Sequence, residues 1–522
     1  MLLMILLTGF SVAAQQRQIS GKITDSADGT GLAGVSVMPK GSTRGTVSGA
    51  DGSFTISVDN RSEFLVFSLI GYDSKEVVIT GNPLQVSLRS SANSLNEVVV
   101  VGYGTLRKKD LTGSVATISE KDFQKGAITT PEQLIAGKMA GVSVISNGGQ
   151  PGSGSTIRIR GGSSLNASND PLIVIDGVPL DNDATSGASN SLSFINPNDI
   201  ESFAVLKDAS ASAIYGTRAS NGVIIITTKK GRGGALKVSL SSVNSLSEVT
   251  KKVDVLNATQ FRAIVNAKGT PAQIAQLGTA NTDWQDQIYQ SAFGTNNNIS
   301  VSGGIKNLPY RVSLGYQNQD GILKTDNLQK TSLALVLNPT FFDNHLKVDL
   351  NLKGSIENAR FGNQGAIGAA TSFDPTQPVT VKSNRYGGYY EWVDADGNLI
   401  NLAGKNPVGL LNERLDKSSP QRSIGNLQLD YSFHFLPELH ANLNLGYDIS
   451  RGKGTVFVSD SAASDYTRGG RNTRYLQKKQ NELLEFYLNY AKDLPSIRSR
   501  VDVLAGYSYN NYLTIDSNFA DY

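Results

Sequence analysis

Tyr215-Gly-Thr-Arg-Ala-Ser-Asn-Gly-Val-Ile-Ile-Ile-Thr-Thr-Lys-Lys-Gly231 is the stretch on which the reading of this chain turns. Val223 to Thr228 is β-branched throughout and is bracketed by Asn221-Gly222 and Gly231, which predicts a short strand between turns. Three further landmarks precede it: Ser155-Thr-Ile-Arg-Ile-Arg-Gly-Gly162, Pro171-Leu-Ile-Val-Ile-Asp-Gly-Val-Pro179 and Ile195-Asn-Pro-Asn-Asp-Ile-Glu-Ser-Phe-Ala-Val-Leu-Lys-Asp208. Ile157, Ile159, Leu172 to Ile175 and Phe203 to Leu206 predict more short strands, and Asp176-Gly177 predicts a tight hairpin turn. Asp208 to Tyr215 predicts one or two helical turns stopped by Gly216. Together these make a small, glycine-punctuated α/β unit.

From Ala235 onward the period becomes two and stays two. Leu236, Val238 and Leu240 share a face, as do Val312, Leu314 and Tyr316, then Leu333, Leu335 and Leu337, then Leu346, Val348, Leu350 and Leu352. The pattern continues through Leu427 to Phe435, Leu443 to Ile449, Leu484 to Tyr490 and Val501 to Tyr509, with mostly polar residues or glycine between. Connections alternate between tight (306–308, 341–344, 436–438, 493–496) and long (249–295, 320–327, 357–422, 451–476). Apolar-out, polar-in strands with short turns on one side and long loops on the other are the pattern of a transmembrane barrel. A soluble sandwich has the same period with the apolar face inward. About nine strands are expected, too few to close a barrel around a plug. The chain is therefore expected to be the N-terminal part of a longer protein.

A compact α/β unit that feeds directly into such strands resembles the plug of the SusC/RagA-type TonB-dependent outer-membrane transporters. The four landmarks occur in the family's order, and Tyr215 to Gly231 is the most specific of them. Asn281-Thr-Asp-Trp-Gln-Asp-Gln-Ile-Tyr289, Asp374-Pro-Thr-Gln-Pro-Val379 and Asn406-Pro-Val-Gly-Leu410 also resemble the family. The resemblance implies a mainly β fold with a barrel that has 22 strands in the family and is incomplete in this chain.

The expected domains follow. Residues 1–14, Met-Leu-Leu-Met-Ile-Leu-Leu and onward to Ala13-Ala14, are a signal peptide without the usual basic start. Residues 18–90 carry about seven short strands with regular turns, a β-sandwich; it is similar to the carboxypeptidase regulatory-like domain of the family. Asp25, Asp28 and Asp51 are turn residues there, with calcium ligation the rarer use of such residues. Residues 95–104 include Glu97-Val-Val-Val-Val-Gly-Tyr-Gly104, where four valines favour an extended strand. It is either a strand of the sandwich or a free strand that adds to a partner's sheet edge. The resemblance implies the second: a TonB box, with Glu97, Val98, Val99, Val100, Val101, Gly102, Tyr103 and Gly104 binding TonB. Residues 105–232 are the plug, and 235–522 the partial barrel. Within the plug, 119–149 looks helical at first, with Thr130, Pro131 and Gln133 forming a capping signature, and Gly141-Val-Ser-Val-Ile145 is then expected to be a strand.

Composition excludes several functions. There is no cysteine, hence no disulfide, thiolate metal site or cysteine nucleophile. The three histidines, His345, His434 and His440, are scattered, so no metal site is expected. A net charge of +3 gives no basis for nucleic-acid binding. No later window of about 20 apolar residues could form a transmembrane helix. No nucleotide loop, zinc-protease or nucleophile-elbow motif is present, so neither enzymatic activity nor a cofactor is expected.

Two groups stand out as candidate site residues. Arg158, Arg160 and Arg218 could latch the plug to acids on the barrel wall, with Glu482 and Glu485 as conceivable partners, or pair within the plug. Tyr386, Tyr389, Tyr390 and Trp392 could contact substrate, or hold a loop together. The resemblance implies active import across the outer membrane, with TonB (energised by ExbB and ExbD) pulling ahead of the plug. It also implies a SusD-like surface lipoprotein as partner, outer-membrane lipid around the barrel, a periplasmic N-terminal domain, and an oligosaccharide or a peptide as cargo. The competing expectation is a signalling receptor or surface binding protein on the same scaffold without transport.

Overall fold

The computed structural model describes residues 16–521 apart from 27–28, 43–44, 60–61, 70–71, 73, 90–97, 101–104, 108–114, 163–164, 167, 209–212, 384 and 495–498. The signal-peptide segment lies outside the described residues. The chain divides into two compact units, one built by residues 1–99 with 105–111, the other by 100–104 with 112–522.

The first unit is a sandwich. One sheet has the order Ser53–Asp59, Gln16–Asp25, Leu84–Leu88, and the other Thr46–Val47, Ser36–Pro39, Phe64–Ser68, Lys75–Val78. Ser53–Asp59 alternates exposed and buried residue by residue, which is the signature of a strand with one covered face. Ile23, Val37, Phe54, Leu65, Phe67 and Leu88 fill the space between the sheets, with Phe54 and Phe67 edge to face at 5.4 Å. Asp51 accepts from Ser53 N (3.0 Å) and Ser53 Oγ (2.7 Å), and Asp25 from Tyr72 Oη (2.7 Å), so both carboxylates serve local turns and ties. Val98–Val100 pairs with Thr105–Arg107 in a two-stranded sheet.

The α/β unit expected at 105–232 is a five-stranded sheet in the order Val115–Ser119, Ile200–Leu206, Val223–Thr228, Leu172–Ile175, Val178–Pro179. A second ribbon pairs Val142–Ser146 with Ser155–Ile159. The landmark strand Val223–Thr228 is central, antiparallel to Ile200–Leu206 and parallel to Leu172–Ile175. Val223, Ile224, Ile225 and Ile226 are all fully covered, which accounts for a run without polar alternation. The helical expectation over 119–149 is corrected. Apart from the strand Val142–Ser146, the secondary structure described there is two short 3-10 turns, Glu120–Asp122 and Pro131–Ile135. Gly126, Gly137 and Gly141 adopt positive φ and stop each turn from growing. Pro131 begins the second turn, and the Gln133 side chain accepts from Thr129 N (2.9 Å) and Thr130 N (3.4 Å).

The remaining strands form one antiparallel meander. Nine long strands are present among the described residues: Lys237–Ser247, Ala292–Ile305, Leu308–Asp320, Asn327–Leu337, Leu346–Phe361, Gln421–Phe433, Leu436–Val458, Arg471–Leu494 and Ser499–Asp521. Short strands Thr340–Phe341 and Arg414–Ser418 join them, and the first and last long strands are the edges of this sheet. The face orientation is inverted relative to a soluble protein. Leu240, Leu333 and Phe486 are 77 %, 54 % and 44 % exposed, while Asn298, Asn351, Asn426 and Asn481 are buried on the other face. Lipid is the solvent that makes such a sheet stable. Several strands run well past the apolar alternation, because Arg451, Lys453, Lys478, Gln480 and Glu482 continue the outer face with polar side chains.

Candidate functional site: the plug seated on the barrel wall

The inner face of the wall carries the α/β unit, and the contact is built mainly from polar groups. Its centre is the Asp176-Gly177 hairpin. Both residues have positive φ (47° and 87°), the geometry of a two-residue turn between Leu172–Ile175 and Val178–Pro179. Asp176 is more than a turn residue. Its carboxylate accepts from Thr228 N (2.8 Å) and Thr228 Oγ1 (2.7 Å) in its own sheet, and from Lys353 Nζ on the wall (2.5 Å). Burial pushes this carboxyl up, but the Lys353 ammonium and the Thr228 bonds outweigh it and hold it below the usual carboxylate range. Asn426 of the wall donates to Asp176 O (2.9 Å), so both backbone and side chain of the turn are held.

Other wall cations grip the plug in the same way. Arg311 pairs with Asp199 at 2.7 Å, both buried. Lys479 pairs with Asp181 at 2.9 Å, and Lys330 donates to Ser193 O at 2.7 Å. Arg422 forms a fork to Asp448 on the neighbouring wall strand (2.8 and 2.6 Å) and gives its remaining nitrogen to Ser191 O (2.7 Å). Neutral bonds fill in between: Asn481 to Pro179 O (2.9 Å), Ser186 N to Gln477 Oε1 (2.7 Å) and Thr185 with Ser450 (2.6 Å). Gly452 lets the wall come this close, since a Cβ there would lie 2.0 Å from Ser186 O. Among the described residues of the wall, Ile424 alone joins the plug's apolar cluster.

The arginines singled out in the sequence sit elsewhere. Arg158 pairs with Asp170 and Arg160 with Asp208, both within the plug, so in this structure neither latches it to the wall. Arg218 does reach the wall, donating to Tyr512 Oη, with its guanidinium 4.7 Å from that ring, and also to Leu180 O (2.6 Å). Glu482 accepts from Gln480 and Glu485 from Asn444, so neither receives an arginine. Most of these charged contacts reverse the expected polarity, with acids and carbonyls on the plug and cations on the wall; Lys230 of the plug, paired with Asp349 of the wall at 2.7 Å, keeps the expected one. Sequence reasoning missed Arg311, Lys330, Lys353, Arg422 and Lys479. The available signal was a charged residue at an inward position of an alternating strand, where a lumen without a plug needs none.

At the opposite end from the short turns, two long connections fold against each other. Trp284 Nε1 donates to Asp374 O (2.9 Å), Gly278 N to Thr376 Oγ1 (2.9 Å) and Gln377 Nε2 to Gln276 O (2.8 Å). Asn406 caps the helix Pro407–Asn412 and donates to Val379 O and Tyr390 O. Those segments are therefore the joints of an ordered cap. Tyr390 and Trp392 pack against Phe373, itself edge to face with Trp284 at 4.8 Å. Tyr386 is buried, bonded to Gly397 O (2.8 Å) and against Tyr466 (4.9 Å), and Tyr389 accepts from Asn412 (3.0 Å). All four aromatic candidates thus serve the cap's packing in this structure.

Glu391 lies buried in that cap. Burial pushes its carboxyl up to about 7, against the Asn406 N–H it accepts (2.9 Å). The folded cap therefore holds this proton more tightly than the unfolded segment. The cap loses stability as pH rises from the unfolded value through about 7. Glu391→Gln keeps the acceptor and removes the ionisation. Hydrogen exchange over 386–412 is expected to show the variant more protected by about 1–3 kcal/mol at pH 8, with the two proteins converging at pH 5. Identical pH profiles would refute this role.

Of the expected TonB-binding residues, Glu97 and Val101 to Gly104 lie outside the described residues. Val98, Val99 and Val100 form the short strand already described, paired with Thr105–Arg107.

Comparison with known proteins agrees with this architecture. The TonB-dependent Receptor Plug Domain family matches residues 107–223, and the CarboxypepD_reg-like domain family matches 19–100. The TonB-dependent receptor SusC of Bacteroides thetaiotaomicron is 43% identical over 508 residues, 94% of this chain and 50% of the relative. The chain belongs to the SusC/RagA-type TonB-dependent receptors. TonB-dependent receptor P3 of Formosa agariphila is 34% identical over 513 residues, 97% of this chain and 49% of the relative. The RagAB peptide importer in its open-open state superposes with a TM-score of 0.63 at 22% identity, over 81% of this chain and 50% of that one, a likeness of fold. The chain spans about half the length of the curated relatives it matches. TonB-dependent receptors are outer-membrane barrels that bind and transport rather than catalyse, and this receptor's exposed apolar strands suit that setting.

Proposed function

We propose that this receptor, as the full-length protein, imports a nutrient across the outer membrane by TonB-driven movement of its plug. The cargo is an oligosaccharide, with a peptide as the other class. The nutrient binds on the side of the long connections, against cap and plug. Occupancy presents Glu97 to Gly104 to the periplasm. TonB, energised by ExbB and ExbD and the inner-membrane proton gradient, adds a strand to that segment and pulls. A SusD-like lipoprotein caps the barrel and captures cargo.

The observation that carries this reading is the chemistry of the seat. The plug is held by hydrogen bonds and ion pairs through Asp176, Asp181, Ser191, Ser193 and Asp199, with little apolar interdigitation. Buried ion pairs of this kind return about what their desolvation costs, so they set position more than they add stability. Water entering behind a moving plug can take over each bond in turn.

Uptake by cells that carry the full-length gene lacking residues 97–104 tests the proposal. Uptake is expected to fall to background, with the protein still in the outer membrane and still binding cargo. Unchanged uptake would overturn the coupling mechanism. A receptor without transport would show binding but no energised uptake even in the wild type.

A further inference from the structure

We propose that the outer face of the wall, just beyond its apolar belt on the long-connection side, binds the phosphorylated headgroup of an outer-leaflet glycolipid. This rests on the outer-membrane setting proposed above. The face holds a recess of about 1120 Å³ whose rim includes Arg360, Lys417, Lys453 and Arg474. Arg451 and Lys478 continue the same face toward the belt.

Register places these residues together. Arg360 lies directly opposite Lys417, Lys417 opposite Thr455, and Thr455 opposite Arg474. Arg451 lies directly opposite Lys478. Their sequence neighbours Ala359, Ser418 and Gly454 face inward, Ser418 donating to Gly187 O of the plug (2.7 Å). The six cations therefore point away from the plug, on the same side as Leu445, Leu484 and Phe486.

Two of these cross-strand pairs put like charges face to face, an arrangement that destabilises a sheet unless an anion lies between. Among the described residues none of the six cations has an ion-pair partner, and Arg360 Nε is buried with no hydrogen-bond partner there. Of the acids on this face whose side chains are described, Asp320 accepts from Asn327, and Glu482 from Gln480. Five of the six are exposed. A ligand that satisfies them must carry several negative charges on a sugar-sized headgroup. Its acyl chains must continue down the adjoining apolar belt, where Ile449 and Leu445 follow Arg451 at alternate positions. A phosphorylated glycolipid has both parts. A soluble anion lacks the second, and a zwitterionic phospholipid lacks the first.

The test uses purified full-length protein and native mass spectrometry in detergent with diphosphoryl lipid A added. The comparison is with Arg360→Gln/Lys417→Gln/Arg474→Gln, whose substitutions touch neither plug nor cap. The wild type is expected to retain lipid A, and the triple variant to bind it at least about tenfold more weakly, given the strength of charge-assisted contacts. Dephosphorylated lipid A and phosphatidylethanolamine are expected not to be retained. Equal retention by both proteins, or equal retention of the dephosphorylated lipid, overturns the inference. So does a triple variant that changes oligomeric mass but not lipid binding, since the face would then meet a second barrel. Membrane fractionation separates the two levels: a protein absent from the outer membrane fails the proposed function, whereas a protein resident there without lipid A fails only this inference.

Discussion

Val99→Pro in the full-length protein is expected to abolish energised uptake while leaving cargo binding and membrane insertion intact. Strand addition to a partner relies on main-chain hydrogen bonds from alternate residues. Proline removes the donor at position 99 and fixes its φ, so the facing carbonyl of the partner strand loses its bond, at about 1–3 kcal/mol. The upper end of that penalty lowers affinity for the partner by about a hundredfold. Val98–Val100 is already extended and paired with Thr105–Arg107, so the partner strand must replace that pairing or extend it. Val99→Ile, which keeps the β preference and the N–H, is the control and is expected to transport normally. Binding of the isolated TonB C-terminal domain, measured beside uptake, separates a lost partner from a general fault. If Val99→Pro transports like wild type, residues 97–104 are a structural strand and the pulling mechanism is wrong.

Lys353→Met is expected to loosen the plug. The ammonium is the only cation paired with Asp176 among the described residues, and both side chains are about nine-tenths covered. Removing one partner of a buried pair leaves the other uncompensated, typically a loss of about 3–5 kcal/mol. The Thr228 bonds remain, so the loss belongs to the plug's seat rather than to its sheet. Hydrogen exchange at 172–179 and 223–228 is expected to accelerate, and cells are expected to become sensitive to bulky antibiotics that the seated plug excludes. The pH dependence also reverses. In the wild type, Lys353 holds the Asp176 carboxyl below its ordinary value, so this pair stabilises at neutral pH and is lost as pH falls through the lowered value. Without Lys353, burial dominates and the carboxyl binds its proton readily, so the variant is looser at pH 8 than at pH 5. Lys353→Met/Asp176→Asn removes the stranded charge and is expected to regain most of the protection. If the single variant exchanges and excludes like wild type, this pair does not hold the plug.

Much of this architecture is legible in one dimension. Val223 to Thr228 announces a covered strand because four consecutive apolar β-branched residues, Val223 to Ile226, suit the middle of a sheet. Leu333, Leu335 and Leu337 announce the wall because a period of two is a property of the strand itself. The direction of that alternation, apolar side out, needed the turn lengths and the neighbouring plug to decide it. The seat was not legible. Arg158 and Arg160 attract notice as charges in an apolar run, yet Asp170 and Asp208 reach them first, because these acids lie in the same small domain. Lys353 and Arg422 read as ordinary polar positions of their strands until the plug is placed against them. The same holds for Tyr386 and Trp392, whose type suits a sugar or a cap equally well. Local preference and side-chain alternation are carried by each residue and its near neighbours, and so the sequence by itself determined the strands, their turns and the class of fold. Which charge meets which depends on surfaces more than 100 residues apart being brought together, and that only the tertiary structure decided.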